Sequence, residues 1–315
     1  MPIILAALYQ SRTALLRTWT SSPIASRLAW PSPTAKMSTF HHPDYHTPIT
    51  LPPGLSKSQL LAFPPFTAWL TTLQTSLTTQ TTTPTHPFHS DPYALHSITV
   101  QSFDLFGPTR LGFVKLTSHI ANGAGEALPG AVFLRGPSVA MLVMLIPDDI
   151  PENKEEVEDE ERYVLLTVQP RIAAGSLEFV ELPAGMVDEG GSFAGQAARE
   201  MEEELGMVIG EGELVGLSDL VGETGEAKEE GGLPRAVYPS AGGCDEYIPI
   251  YMHERRVPRA QLGQWTGKLT GLREHGEKIT LKLVKMRDLW REGARDAKCL
   301  AAVALWEGLR REGKV

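Results

Sequence analysis

Alternating apolar and polar positions dominate the chain from about residue 92 onward. Residues 97–106 and 111–120 are alternating, β-rich runs on either side of Gly107-Pro108, which predicts a β-hairpin. Residues 131–134 add a short strand, and residues 139–146 are apolar on both faces, as in a central strand. The acidic stretch 148–161 reads as a loop. Residues 163–169, 178–182, 214–221, 247–252 and 279–284 read as further strands, and the Gly/Glu-rich residues 222–234 as an insertion. A terminal helix is expected over 294–312, with Ala297, Leu300, Ala301, Ala304 and Leu305 facing inward. Upstream, a helical pattern over 56–77 is interrupted at Pro64-Pro65. The His- and Pro-rich 38–54 reads as linker and the Thr/Pro run 78–87 as unable to pack, so folded structure is expected to begin near Pro92. Strands mixed with a few helices, without one-for-one alternation, predict an α+β fold: an α/β/α sandwich with a mixed sheet and a β-rich N-terminal extension. The expected plan is a segment 1–36, a linker and helical extension 37–91, and a main domain 92–315 whose first part, 92–146, supplies the N-terminal strands.

One helical stretch interrupts the strands, and it carries the clearest chemistry. Residues 185–207 run from a glycine-rich turn into a short helix with Glu200, Glu202, Glu203 and Glu204 near its end, stopped by Gly206. At about 100° per residue, Ala194, Ala198, Met201 and Leu205 form an apolar stripe. Glu200, Glu203 and Glu204 project together from another face. Carboxylates at a helix C-terminus oppose the helix dipole, so a solvated acidic end explains them less well than a bound hard cation.

Composition narrows the partners. The 315 residues carry a formal net charge of −9, which speaks against a nucleic-acid surface. The longest apolar run, 139–146, is far short of the roughly 20 residues that span a bilayer, so no membrane partner is expected. Cys244 and Cys299 have neither metal-ligand nor disulfide-framework spacing. Residues 1–36 contain Arg12, Arg17 and Arg27 among Ser, Thr, Leu and Ala, and the first acid of the chain is Asp44; this is transit-peptide composition. The early apolar and Leu-Leu-Arg runs favour a mitochondrion, with a plastid, or a cytoplasmic form started at Met37, as alternatives.

The glutamate stretch resembles the Nudix box. Gly185, Arg199, Glu200, Met201, Glu203, Glu204, Gly206 and Met207 fall at the spacing of that pattern, and Gly191 stands where it has a glutamate, with Asp188 and Glu189 close by. Gln169-Pro-Arg171, Glu181-Leu-Pro-Ala-Gly185 and the 238–246 loop are similar to the ADP-ribose and ADP-sugar pyrophosphatase branch. The segments 271–277 and Asp296-Ala-Lys298 look most like plant-type ADP-sugar diphosphatases. The resemblance implies Mg²⁺, with Mn²⁺ as an alternative, held by Glu200, Glu204 and the carbonyl of Ala184. Glu203 would be a third ligand, a catalytic group or the i,i+4 partner of Arg199.

Other candidates follow from residue type and place. Glu246, in a Gly-rich loop before a strand, is a candidate general base, with Asp245 as neighbour and a loop-capping acid as the plain alternative. Arg171 is placed to grip a phosphate or to pair with the acidic stretch 148–161. Arg135, His275 and Glu277 are further candidate substrate contacts, and Phe179 or Tyr238 a candidate adenine platform. The expected activity is Mg-dependent hydrolysis of ADP-glucose or ADP-ribose to AMP and a sugar phosphate. A nucleotide-sugar sensor without turnover, and a Nudix hydrolase of NADH, a dinucleoside polyphosphate or capped RNA, are the alternatives. The resemblance also implies a homodimer joined through N-terminal strands, here the 97–120 hairpin.

Overall fold

The chain builds two β-sheets in succession, and the seam between them falls at residues 135–137. The computed structural model describes residues 36–152, 154–187, 192–221, 232–271 and 278–315. The expected segment 1–36 therefore lies outside the described residues except for its last position.

The first sheet starts well before Pro92. Strands β1 (Ser38–His41) and β2 (Pro48–Leu51) pair with each other, and β2 runs parallel to β3 (Ala94–Phe106). The hairpin of β3 with β4 (Arg110–Ala121) turns at Gly107, whose φ of +72° needs glycine. Short strands β5 (Ala127–Leu128) and β6 (Ala131–Leu134) pair with β4. Two helices cover the sheet. Ser56 and Gln59 form a capping box for α1 (Lys57–Leu61), and Pro64-Pro65 occupy the first turn of α2 (Pro64–Thr82), where a missing N–H costs nothing. Ile49, Leu51, Phe66, Leu70, Ile98 and Leu116 share one core.

Two expectations are corrected here. Residues 38–54 are not a linker: Pro48 sits at a strand start, where no ladder donor is needed, and Ile49 and Leu51 are buried. The Thr-rich run does pack as far as Thr82. Threonine hydroxyls bond back one turn, as from Thr75 to the Thr71 carbonyl at 2.9 Å, and buried Gln80 spans to both backbone groups of Tyr93. Elements before residue 92 thus share a core with those after it, and the cores divide at the seam instead of at 92.

The second sheet is centred on β7 (Ser138–Pro147), all ten residues of which are buried. Around it come β8 (Tyr163–Arg171), β9 (Ser176–Glu181), β10 (Ala184–Met186), β11 (Val215–Gly216), β12 (Ile250–Val257), β13 (Leu269–Thr270) and β14 (Ile279–Lys285). The order is β11-β12-β7-β8-β14-β13, with β10 beside β7 and β9 beside β8. The β7–β12 pair is parallel and the others antiparallel, so the sheet is mixed as expected.

Side-chain alternation along β7 feeds two cores. Val139, Met141, Val143 and Leu145 meet α4 (Phe193–Glu200) and α6 (Arg259–Trp265). Ala140, Leu142 and Met144 meet α5 (Leu217–Val221), α7 (Leu289–Glu292) and α8 (Ala297–Arg311). The α/β/α sandwich is therefore present, and the fold is α+β. No helix among the described residues is long and apolar enough to cross a membrane.

Three further local corrections have physical causes. The acidic 148–161 stretch contains a helix, α3 (Glu155–Glu161), fixed by basic partners: Arg310 reaches Glu155 and Asp159, Arg256 reaches Glu158, and Arg259 reaches Glu161. The 214–221 run gives only a two-residue strand before turning into α5. Helix α8 buries Cys299, Ala302, Trp306 and Leu309; of the expected face Leu305 packs partly against this core, and the Trp306 ring, with the guanidinium groups of Arg162 and Arg310 at 5.2 and 4.7 Å, turns the rest of that face away.

Candidate active site at the glutamate helix

The glutamate helix is anchored at both ends. Ser192 caps α4 by accepting the Gly195 amide at 2.9 Å, and Gly206, at a φ of +67°, ends the segment. Residues 188–191 precede it, so Gly191, Asp188 and Glu189 lie outside the described residues.

The helix does not stay α-helical. Residues Met201–Leu205 form a π-helical turn, which puts more residues into the turn and so changes the angle between successive side chains. Met201 and Leu205 still reach the core, but Ala197 is the fully buried alanine, and Ala194 and Ala198 are only half-buried. The same turn separates the three carboxylates that a regular helix would group. Glu204 points inward and is 2% exposed, Glu200 is half-buried, and Glu203 stays at the surface.

Glu200 and Glu204 converge on the backbone of β10. The Ala184 amide donates to Glu204 Oε2 at 3.1 Å. Gly185 lies so close to Glu200 that a Cβ there would overlap its carboxylate. Gln196, one helical turn back, donates to Glu200 Oε1 at 2.7 Å and accepts from Arg199 at 2.6 Å. The expected ligands Ala184, Glu200 and Glu204 are thus together, and Glu203 is apart. Among the described residues, no three His, Cys, Asp or Glu side chains stand gathered as a metal site. Two carboxylates beside the backbone of β10 nevertheless suit a hard cation that keeps several waters and substrate oxygens, as Mg²⁺ or Mn²⁺ does.

The loop before β12 brings in Glu246. Its Oε1 meets Arg135 at 2.8 Å and accepts from the Ser138 hydroxyl at 2.7 Å. Arg135 also donates to Ser138 at 3.0 Å, so its charge is directed at Glu246. Asp245 takes the capping role: it accepts the amides of Arg135 at 2.7 Å and Gly136 at 3.1 Å. Burial raises the Asp245 pKa, against those amide bonds, which favour the carboxylate. Ser138, the pivot of this cluster, pairs in register with Met186, next to Gly185. Tyr247 continues the link, its ring 6.1 Å from Phe193 at the start of α4 and 5.9 Å from Tyr238. Tyr238 therefore belongs to an aromatic row beside Glu246. Phe179 lines a separate cavity of about 500 Å³ with Arg291 and Arg295.

Arg171, at the end of β8, pairs with Glu181 instead of the acidic stretch, Nε to Oε1 at 2.6 Å. Glu181 also holds Lys298, which in turn holds Asp296, both at 2.9 Å. Burial acts to lower the Lys298 pKa, and the two carboxylates outweigh it, leaving it raised. His275 and Glu277 lie outside the described residues. Sequence reading missed Ser138 and Gln196 as site residues. The i,i+4 spacing of Gln196 and Glu200 was a usable signal, whereas the Ser138–Glu246 contact spans 108 residues and left none.

Residues 157–303 match the family model of the NUDIX domain. Over 223 residues the chain is 38% identical to Nudix hydrolase 14, chloroplastic, of Arabidopsis thaliana, covering 70% of this chain and 65% of that protein, a little under two thirds of its length. A crystal structure of an ADP compounds hydrolase aligns with 70% of this chain and 99% of its own at 17% identity, with a TM-score of 0.42. The glutamate helix, the Ala184–Gly185 strand segment and the Glu246 loop all fall within the matched span, so the candidate site lies in the part of the chain that is similar to a NUDIX domain.

Proposed function

We propose that the protein hydrolyses the diphosphate bond of ADP-sugars, ADP-glucose or ADP-ribose, to AMP and a sugar phosphate. The observation that carries this reading is the convergence of Glu200 and Glu204 on Ala184 and Gly185 of β10, within the residues that match the NUDIX domain model. The name of the plant relative is that of a Nudix hydrolase, which supports hydrolysis of a nucleotide-containing substrate.

Glu200, Glu204 and the Ala184 carbonyl would hold Mg²⁺, which when bound neutralises phosphate charge and acidifies a water. The chain's own residues do the rest. Glu246 accepts the proton of the attacking water, and Arg135 and Ser138 fix the direction of its carboxylate. Arg171 offers its guanidinium to a phosphoryl oxygen. Tyr238 offers a ring face to adenine. Water adds to phosphorus as the bridging oxygen leaves with one phosphate, and electrostatic positioning supplies most of the acceleration.

The test is a panel of ADP-glucose, ADP-ribose, UDP-glucose and NADH with Mg²⁺, followed by product chromatography. AMP release from an ADP-sugar is expected, with Glu204→Gln slower by on the order of 10² to 10³. No AMP from any ADP-sugar, with Glu204→Gln indistinguishable from wild type, would sink the reading. Nucleotide binding without turnover would favour the sensor, and turnover of NADH alone another substrate class.

We infer a homodimer joined through the β3–β4 hairpin. Phe106 and Phe133 are exposed and packed on either side of Phe113, at centroid distances of 4.9 and 5.3 Å, a cluster that a second copy would cover. Light scattering that gave a monomer at micromolar concentration would overturn this. For residues 1–36 we propose import into an organelle. The word chloroplastic in the relative's name supports import in general and lends nothing to a mitochondrion in particular. Sequencing the mature N-terminus from cells tests it.

A further inference from the structure

A chain of four charges runs from the start of α8 to Arg171. Asp296, the N-cap of α8, has a side chain 4% exposed; Glu181, at the end of β9, is 2% exposed. Lys298 stands between them with Nζ 2.9 Å from Glu181 Oε2 and 2.9 Å from Asp296 Oδ1. The other oxygen of each acid is used elsewhere. Asp296 Oδ2 accepts the Leu182 amide at 2.9 Å, and Glu181 Oε1 accepts from Arg171 Nε at 2.6 Å. Arg171 is 42% exposed, and its terminal nitrogens have no partner among the described residues.

The arrangement divides the work between the two cations. A carboxylate buried as deeply as Glu181 needs a counter-ion at all times. Were Arg171 the one counter-ion, its charge would be spent on Glu181, and the pair would present no surplus to an incoming phosphate. With Lys298 permanently on Oε2, Arg171 is oriented through Nε alone and keeps its outer edge and its charge for a ligand. Asp296 completes the set by fixing Lys298 and tying down the backbone at Leu182, two residues before Ala184.

We propose that Lys298 and Asp296 are positioning residues for Arg171: they neutralise and immobilise Glu181, so that Arg171 meets a substrate phosphate already aimed and fully charged. This rests on the reading of Arg171 as a phosphate contact.

Kinetics on ADP-ribose, with calorimetric titration of ADP as a readout independent of turnover, test the proposal. Arg171→Ala should raise KM and weaken ADP. Lys298→Met should raise KM roughly tenfold, with kcat changed less than about threefold, and weaken ADP in proportion. Lys298→Arg should restore KM. In an Arg171→Ala background, Lys298→Met should add nothing, since coupled residues do not contribute independently. If Lys298→Met does not fold, Glu181→Gln with Lys298→Met removes both buried charges; Arg171 then keeps its charge but loses its fixed partner, so KM should rise by about threefold through lost aim alone. Effects of Lys298→Met and Arg171→Ala that multiply, or a wild-type KM in the paired variant, would overturn the proposal and leave the phosphate reading standing. Arg171→Ala with unchanged KM and unchanged ADP binding would instead remove the phosphate reading, and the proposal with it.

Discussion

Gly185 is constrained by a side chain, not by its own backbone. Its φ is not in the left-handed region, yet a methyl group there would occupy the place of the Glu200 carboxylate. Gly185→Ala should therefore keep the fold and displace the acid, lowering kcat by on the order of 10², as misplacement of about an ångström does; parallel melting curves and rate measurements would show it. The box spacing made this glycine visible in sequence, but the contact that requires it was not. Glu203 shows the opposite case. Spacing grouped it with Glu200 and Glu204, and the π-helical turn leaves it at the surface while Glu204 is buried. Glu203→Gln should cost less activity than Glu204→Gln, the latter losing a buried and bonded carboxylate; comparing kcat of the two variants decides it. A helical wheel assumes one angle per residue, so a wider turn is hidden from it.

Helix α3 and its partners carry the pH response. Hydrogen bonds from Arg259 hold the carboxyls of Asp149 and Glu161 below their ordinary values, with Lys285 adding to the effect on Glu161. A depressed folded pKa gives stability that is complete above the unfolded value and lost as pH falls through the folded one. Melting temperature should thus drop as pH goes from 5 to 3, and Arg259→Met should be lower at pH 5 and fall less steeply. Asp149 is exposed and Glu161 partly so, and the difference is expected to be small and to shrink in salt. Composition marked this stretch as acidic but could not say that its acids would meet arginines from β12 and α6, some 100 residues on, and from α8, some 150 residues on. Helix α8 was legible in extent and misread in phase. Its small alanines mimic an apolar stripe, and the face is chosen by the bulk of Trp306 and the tether at Asp296.

Viewed whole, the protein hangs on β7, which feeds both cores of the sandwich and pairs with β8, β10 and β12. Amide hydrogen exchange should find β7 among the last segments to exchange, near the free energy of global unfolding, and β1 and β13 among the first. The apolar run made β7 readable as central before any coordinate was known. Its parallel pairing with β12 was not readable, because register is set by packing between segments about 100 residues apart. The N-terminal strands escaped notice for a different reason: proline and histidine suit an edge strand as well as a linker.

The grip of Asp245 on the Arg135 and Gly136 amides has a mechanical meaning. Those amides lie on the seam, and the backbone of Phe133 on its far side is bonded to Gly243 and Asp245. A load applied between the termini of the two layers would be borne first by this clasp. In a pulling experiment, then, the Glu246 loop should let go, and hydrolysis stop, at a force that leaves the sandwich itself intact.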